Sequence, residues 1–205
     1  LMDLIEEYNW LCGAEFADSV GADIINSSLG YTTFDDASQN HTYSDMNGRT
    51  TPVSIAANLA SRKGMIVVNS AGNSGSSSWH YIGAPADADS ILSVGAVDEN
   101  TDFAWFSSFG PTADGRVKPT IVAQGGNTIV ATSDNGTLTG NGTSFSSPII
   151  AGMTACLWQA HPNRTNMEII NAIILSAHLQ DNPNDSLGFG LPNFGLADFL
   201  LTTNM

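Results

Sequence analysis

Thr51-Pro52-Val53-Ser54-Ile55-Ala56-Ala57-Asn58-Leu59-Ala60-Ser61-Arg62-Lys63-Gly64-Met65-Ile66-Val67-Val68-Asn69-Ser70-Ala71-Gly72-Asn73 reads as a helix, a strand and a tight turn in immediate succession. Pro52 suits the first helical position, where its missing N–H is no loss. Val53, Ala56, Ala57, Leu59 and Ala60 keep helical spacing until Gly64 stops the pattern. Met65 to Ser70 is an apolar run of strand character, and it delivers the chain into the Gly/Ser-rich turn Ala71-Gly72-Asn73-Ser74-Gly75. The same alternation extends outward. Leu1 to Val20 has helical periodicity ended by Gly21, and Ala22 to Gly30 is a short buried strand reaching a turn. Downstream, Ile91 to Val97 is a strand and Val117 to Gly140 reads as short strands and turns. Helices are expected over Ser144–Ala160, Asn166–His178 and Leu196–Thr202, with a Thr165/Glu168 capping box opening the second. Strands alternating with helices predict an α/β domain with a mainly parallel sheet flanked by helices. Tyr31 to Thr50, polar and rich in Asp, Ser, Thr and Asn, is expected to be a long surface loop.

The 205 residues suffice for one domain or a large piece of one. Acidic residues outnumber basic ones by 20 to 6. A nucleic-acid binder needs cations to displace phosphate counterions, so that partner class is excluded, and anionic membranes would repel the chain. No stretch approaches the roughly 18 apolar residues of a membrane span. Cys12 and Cys156 form no CxxC or Cys/His cluster, which removes support for zinc. In Ala155-Cys156-Leu157-Trp158, Cys156 reads as a buried small apolar residue, and a Cys12–Cys156 disulfide is left open. The start at Leu1, without an initiator Met and directly on a helical pattern, suggests a piece of something longer.

The chemistry concentrates in Gly140-Asn141-Gly142-Thr143-Ser144-Phe145-Ser146-Ser147-Pro148, which runs into Ile149-Ile150-Ala151-Gly152. A glycine-bearing loop brings Ser144 to a helix start, where unpaired N–H groups and the helix dipole favour negative charge. That suits an acyl-transfer nucleophile; a serine that merely caps a helix is the simpler local reading. Ser146 stands where a Gly-x-Ser-x-Gly elbow would have its second glycine, so the α/β-hydrolase motif is absent.

Gly142-Thr143-Ser144-Phe145-Ser146-Ser147-Pro148 resembles the Gly-Thr-Ser-x-[Ala/Ser]-x-Pro motif around the nucleophile of the subtilisin family. Ala71-Gly72-Asn73 resembles the turn whose asparagine donates to the oxyanion in that family; the sedolisins carry an aspartate there. Ile24 to Gly30, Phe106 to Pro111, Lys118 to Ala123 and Gly188 to Asn193 continue the likeness in order, over about residues 10 to 200. It implies a subtilisin-like fold lacking its N-terminal part, with Ser144 and Asn73 catalytic. It also implies that Ser28-Leu29-Gly30 pairs with an extended substrate backbone. The S1 pocket would have Ser28, Leu29 and Gly30 on one side, Ser70, Ala71 and Gly72 on the other, and Gly83 as floor. Such a pocket suits a large apolar P1 residue such as Leu or Phe. Ala84-Pro85 aligns with a pair whose bond is cis in the family.

Family order is Asp, His, then Ser, but neither a His-Gly-Thr nor an Asp-[Ser/Thr]-Gly string occurs here. The histidines are poor substitutes. His41 lies in the polar loop and reads as solvated, His80 sits between Trp79 and Tyr81 near the cleft, and His161 and His178 end helices. Two functions follow. One is a secreted or periplasmic endopeptidase of polypeptides whose Asp and His lie in an N-terminal remainder of the same domain. The other is an inactive relative that binds peptides. No cofactor is assigned. Phe34-Asp35-Asp36 and the Asp87/Asp89 pair have ligand chemistry suited to calcium but read as solvated acidic turns. Asn26-Ser27-Ser28 is a glycosylation sequon only in form, because it falls on a strand.

Overall fold

The computed structural model describes residues 3–203. A parallel four-stranded sheet runs β1 (Ile24–Ser27), β2 (Ile66–Ser70), β3 (Leu92–Val97) and β4 (Ile121–Gln124), in that spatial order. Helices α1 (Ile5–Ser19) and α2 (Pro52–Arg62) cover one face. The opposite face carries α3 (Thr143–Ala160), α4 (Asn166–Leu175) and α5 (Phe194–Thr202). A small antiparallel pair, β5 (Thr128–Ala131) and β6 (Thr137–Gly140), leads into α3. The expected α/β architecture is present. Leu1 and Met2, which the sequence reading included in the first helix, lie outside the described residues.

Alternate strand residues feed two cores. Ile66, Val68, Leu92, Val94 and Ile121 pack towards α3 and α4 with Ile150, Ile169 and Ile173. Val67 and Ile91 join Ala57, Ala60 and Met65 on the α1–α2 side. Each fully buried aliphatic side chain of this kind contributes roughly 1.5–3 kcal/mol. β2 and β3 are buried throughout, as a parallel sheet covered on both faces requires. The two edges differ. β4 is covered by the chain at Phe189–Gly190, through Val122 N–H to Gly190 C=O at 3.1 Å and Phe189 N–H to Thr120 C=O at 2.9 Å. Among the described residues β1 has a strand on one side only.

Local chemistry sets the helix boundaries. Thr51 caps α2 by accepting from Ser54 N–H, with Pro52 in the first turn. The Thr165/Glu168 capping box opens α4 in both directions. That helix ends at Leu175 rather than at His178 as expected, because the chain turns to bring Asn193 N–H onto Ser176.

The 31–50 segment is more structured than its composition suggests. Two short 3₁₀ turns at Ala37–Gln39 and Tyr43–Asp45 fold it inward, and Tyr31, Phe34 and Met46 are buried beside Val53 and Ala84. His41, expected to be solvated, is largely enclosed. Its Nε2 pairs with the fully buried Glu7 of α1, whose other carboxylate oxygen accepts Val53 N–H at 3.0 Å. The hydrogen bond to Glu7 raises the His41 pKa above its ordinary value against the opposing effect of burial.

Asp87 is likewise no solvated turn. It is completely buried, accepting Gly48 N–H at 2.6 Å and the Ser54 hydroxyl. Burial raises its pKa despite those bonds. Asp89 faces Arg116, with Nη1 at 2.6 Å, a close ion pair too oblique for a hydrogen bond. Lys118, fully enclosed nearby, donates to Thr120 Oγ1 at 3.3 Å, and desolvation lowers its pKa to about 7. Cys12 and Cys156 are both free and exposed, so Cys156 is not the buried residue its neighbours suggested and the two are not bridged.

Candidate active site

The segments that leave the C-terminal ends of β1 and β2 border a cleft of about 190 Å³. One side carries Ser28, Leu29 and Gly30, the other Ser70, Ala71 and Gly72, and Gly83, Asn73 and Ser144 line the same space. All nine residues singled out in the sequence therefore meet at one place, although up to 116 positions separate them.

Ser144 is the second residue of α3, after the Gly142 N-cap and Thr143. At a helix start the first N–H groups have no intrahelical acceptor. Thr143 N–H finds Asn73 Oδ1 at 2.8 Å, and the Thr143 hydroxyl donates to the same oxygen at 2.9 Å. A backbone N–H can only donate, so this pair fixes the Asn73 amide with its oxygen towards α3. Asn73 Nδ2, Ser144 N–H and Ser144 Oγ have no hydrogen-bond partner among the described residues. Two free donors and one free hydroxyl thus line a common cleft.

Pro148 shapes this end of the helix. It has no N–H for the Ser144 carbonyl four residues back, and the Ser28 hydroxyl donates to that carbonyl instead, at 3.3 Å. The interruption in α3 therefore ties the nucleophile candidate to the β1 wall. Beyond β1, the Gly30 N–H and C=O are also unpaired among the described residues, whereas Asn69 Nδ2 holds the Leu29 carbonyl at 3.1 Å.

The Ala71–Gly75 turn is held rigidly. Ala71 N–H bonds to Val94 C=O at 2.9 Å, and Ser108 N–H bonds to Gly72 C=O at 2.9 Å while its hydroxyl accepts Ser74 N–H at 3.0 Å. Gly72 has φ +111°, and a Cβ there would stand 2.9 Å from Ser108 Oγ, so only glycine fits. The Ala84–Pro85 bond is cis, as the resemblance implies.

No histidine, aspartate or glutamate lines the cleft. His80 stacks on Phe109 at 5.4 Å between ring centroids and is not a lining residue. His161 closes α3 and pairs with Asp198 at 2.8 Å. His178 lies beyond α4, and its Nδ1 accepts Leu191 N–H at 2.9 Å. Among the described residues no group of three or more His, Cys, Asp or Glu could hold a metal ion.

Sequence reasoning passed over Thr32, Ser74, Trp79, Tyr81 and Ser108, which also line the cleft. Trp79 and Tyr81 carried a usable signal as large aromatics in a Gly/Ser-rich loop. Thr32 carried none, because it lies in the segment read as a surface loop.

The family model for subtilases matches residues 2–190. Subtilisin DY of Bacillus licheniformis is 34% identical over 180 residues, covering 87% of this chain and 57% of that protein. Subtilisin E of Bacillus subtilis is 34% identical over 166 residues, covering 80% of this chain and 38% of the relative. The chain therefore spans well under two thirds of these relatives. Among solved structures, the self-cleaved protease domain of PatA superposes with a TM-score of 0.75 at 26% identity, over 96% of this chain and 68% of that one. The prenylagaramide maturation protease PagA gives 0.74 at 27%, over 95% and 68%. With the serine motif, the asparagine turn and the parallel sheet agreeing with these matches, the chain belongs to the subtilase family.

Proposed function

We propose that the protein is a serine endopeptidase that cleaves extended polypeptides through an acyl-enzyme on Ser144. The observation that carries this reading is the conjunction of the free Ser144 hydroxyl with two free donors, Ser144 N–H and Asn73 Nδ2, on one cleft. Ser144 Oγ attacks the scissile carbonyl carbon and a base takes its proton. The carbonyl oxygen becomes negative and accepts from the two donors, which need no rearrangement to receive it. The C–N bond then breaks, the amine leaves with the proton, and water hydrolyses the ester. The substrate strand lies along Ser28–Gly30, where the free Gly30 groups supply main-chain hydrogen bonds.

The base is a histidine oriented by an aspartate, supplied by an N-terminal remainder of the same domain. The outer side of β1, unpaired among the described residues and continuous with Ser28–Gly30, is where that remainder packs. Acyl transfer through serine draws on no cofactor, and calcium is not assigned. We place the protein in the secreted or periplasmic compartment; no helix of the described residues is long and apolar enough to cross a membrane.

A second reading is favoured by the absence of any histidine, carboxylate, lysine or arginine from the cleft lining: a peptide-binding module without catalysis. Fluorophosphonate labelling separates the two. The experiment uses protein expressed from the complete coding sequence, maps the label by peptide mass spectrometry, and takes Ser144→Ala as control. Label on Ser144 that vanishes in the control is expected. A folded protein that takes up no label would overturn the catalytic reading and leave the binding module.

A further inference from the structure

Gly83 does not end the cleft in open space. A Cβ built on it would stand 3.0 Å from the Thr32 Cγ2 methyl and 3.6 Å from the Tyr31 carbonyl oxygen. The Gly83 backbone is not in the left-handed region, so its conformation makes no demand for glycine. What requires a small residue there is the Thr32 methyl, which already lies against that face. Positions 32 and 83 thus share one volume.

Thr32 is held in place from both sides. Tyr31 N–H bonds to Ala84 C=O at 2.8 Å, and His41 N–H bonds to Thr32 C=O at 2.9 Å. Tyr31 is buried and stacked on Phe34, and the His41 ring is paired with Glu7, itself fixed to the start of α2. A β-branched side chain has few χ1 choices, so on a pinned backbone the methyl is a stiff stop. The Thr32 hydroxyl has no hydrogen-bond partner among the described residues, and no charged residue lines the cleft.

We infer that Thr32 sets the depth of the cleft and selects a medium aliphatic side chain such as Leu over an aromatic one such as Phe at P1. The inference narrows the large apolar class suggested by the glycine floor. It rests on the cleft being a peptide site, and not on catalysis. An apolar wall discriminates by roughly 10- to 200-fold for about one methylene of mismatch. The Thr32 methyl is such a wall in a cleft otherwise rich in Ser and Thr, so its removal is expected to change the preference by about tenfold, the lower end of that range.

The test measures binding of N-acetyl tetrapeptide amides, Ala-Ala-Ala-Leu and Ala-Ala-Ala-Phe, by titration calorimetry. It uses protein from the complete coding sequence carrying Ser144→Ala, so that no turnover is needed. The Leu peptide is expected to bind more tightly. Thr32→Ser, which deletes only the methyl, should shift the ratio towards Phe by about tenfold. Thr32→Val, which keeps it, should leave the order unchanged, and adding Gly83→Ala to Thr32→Ser should refill the space and restore the Leu preference. An unchanged Leu/Phe ratio in Thr32→Ser, or no dependence on the last residue at all, overturns the inference. Fluorophosphonate labelling of Ser144 reports on catalysis separately: a shifted ratio without label would retain the inference and discard the enzyme, and label with an unshifted ratio would do the reverse.

Discussion

Two polar regions of this molecule invite opposite interpretations from their composition. The cluster around Asp87, Asp89, Arg116 and Lys118 is rich in charge, with an aspartate raised and a lysine lowered in pKa by burial. The cleft around Ser144 contains no histidine, carboxylate, lysine or arginine. Perturbed titrating groups often mark active sites, yet here Asp87 is engaged by Gly48 N–H and Ser54, and Lys118 donates to Thr120. Arg116 Nη1 and Nη2 in the cluster also lack hydrogen-bond partners among the described residues, but they are buried beside Asp89. The unpaired hydroxyl, backbone N–H and side-chain amide of Ser144 and Asn73 belong instead to residues that line a cleft. On the proposed reading, unmet hydrogen-bonding capacity at a cavity marks the reactive place, and charge density does not.

That contrast predicts that removing an unpaired group of the cleft alters activity at unchanged stability, and that changes in the cluster do the opposite. The largest effect is expected from Ser144→Ala in protein from the complete coding sequence: loss of peptidase kcat on the order of 10⁶, the subtilisin figure for its nucleophile, with an unaltered denaturation midpoint. Substantial residual turnover would move the nucleophile elsewhere and break the comparison at its centre. Asn73→Leu comes next. It removes one of the two free donors and should lower kcat by about 10²–10³, again the figure for a subtilisin asparagine, with KM little changed. Because the Thr143 N–H and hydroxyl also lose their acceptor, it should in addition cost about 1–3 kcal/mol of stability. A loss confined to KM would mean that Asn73 binds substrate without serving the transition state.

In the cluster, Asp87→Ala leaves Gly48 N–H and the Ser54 hydroxyl without acceptors. Urea denaturation should show a loss of about 3 kcal/mol, since an abandoned buried donor costs about 1–3 kcal/mol, while kcat/KM of the folded fraction stays constant. A fall in kcat/KM without a fall in stability would place Asp87 on the functional side.

The last effect, on Lys118, appears only as a change of slope with pH, and its sign follows from linkage. Its pKa is 10.5 for the exposed chain and about 7 in the fold, so between those values the unfolded state holds more protons. The cost of burying the cation is complete below about pH 7 and is relieved as pH rises towards 10.5. Stability should therefore rise over that window by up to about 1.4 kcal/mol per pH unit, and Lys118→Met should remove this component of the slope. Equal slopes in the two proteins would show that the lysine is not desolvated as its enclosure indicates.

Much of this arrangement was legible in the chain. Pro52 and Gly64 bound α2, the Thr165/Glu168 box opens α4, and Ile66–Ser70 forms a central strand, because capping, proline geometry and strand burial act over a few residues. The serine and asparagine motifs were readable for the same local reason. His41, Asp87 and Cys156 were misjudged because exposure is decided by partners far away in sequence. Glu7 lies 34 positions from His41, and Gly48 lies 39 from Asp87. Nothing local to those residues records such partners.

The sequence by itself determined the alternation of helices and strands, the family motifs and the identity of the nine residues placed in the cleft. Tertiary structure alone decided how those residues serve it. Thr143 turns the Asn73 amide, Ser28 takes over the carbonyl that Pro148 leaves free, and Thr32 meets Gly83. The physical reason is range. Backbone propensity and capping are fixed by neighbours along the chain, whereas a hydrogen bond or a shared volume exists only once the fold has brought its two halves together.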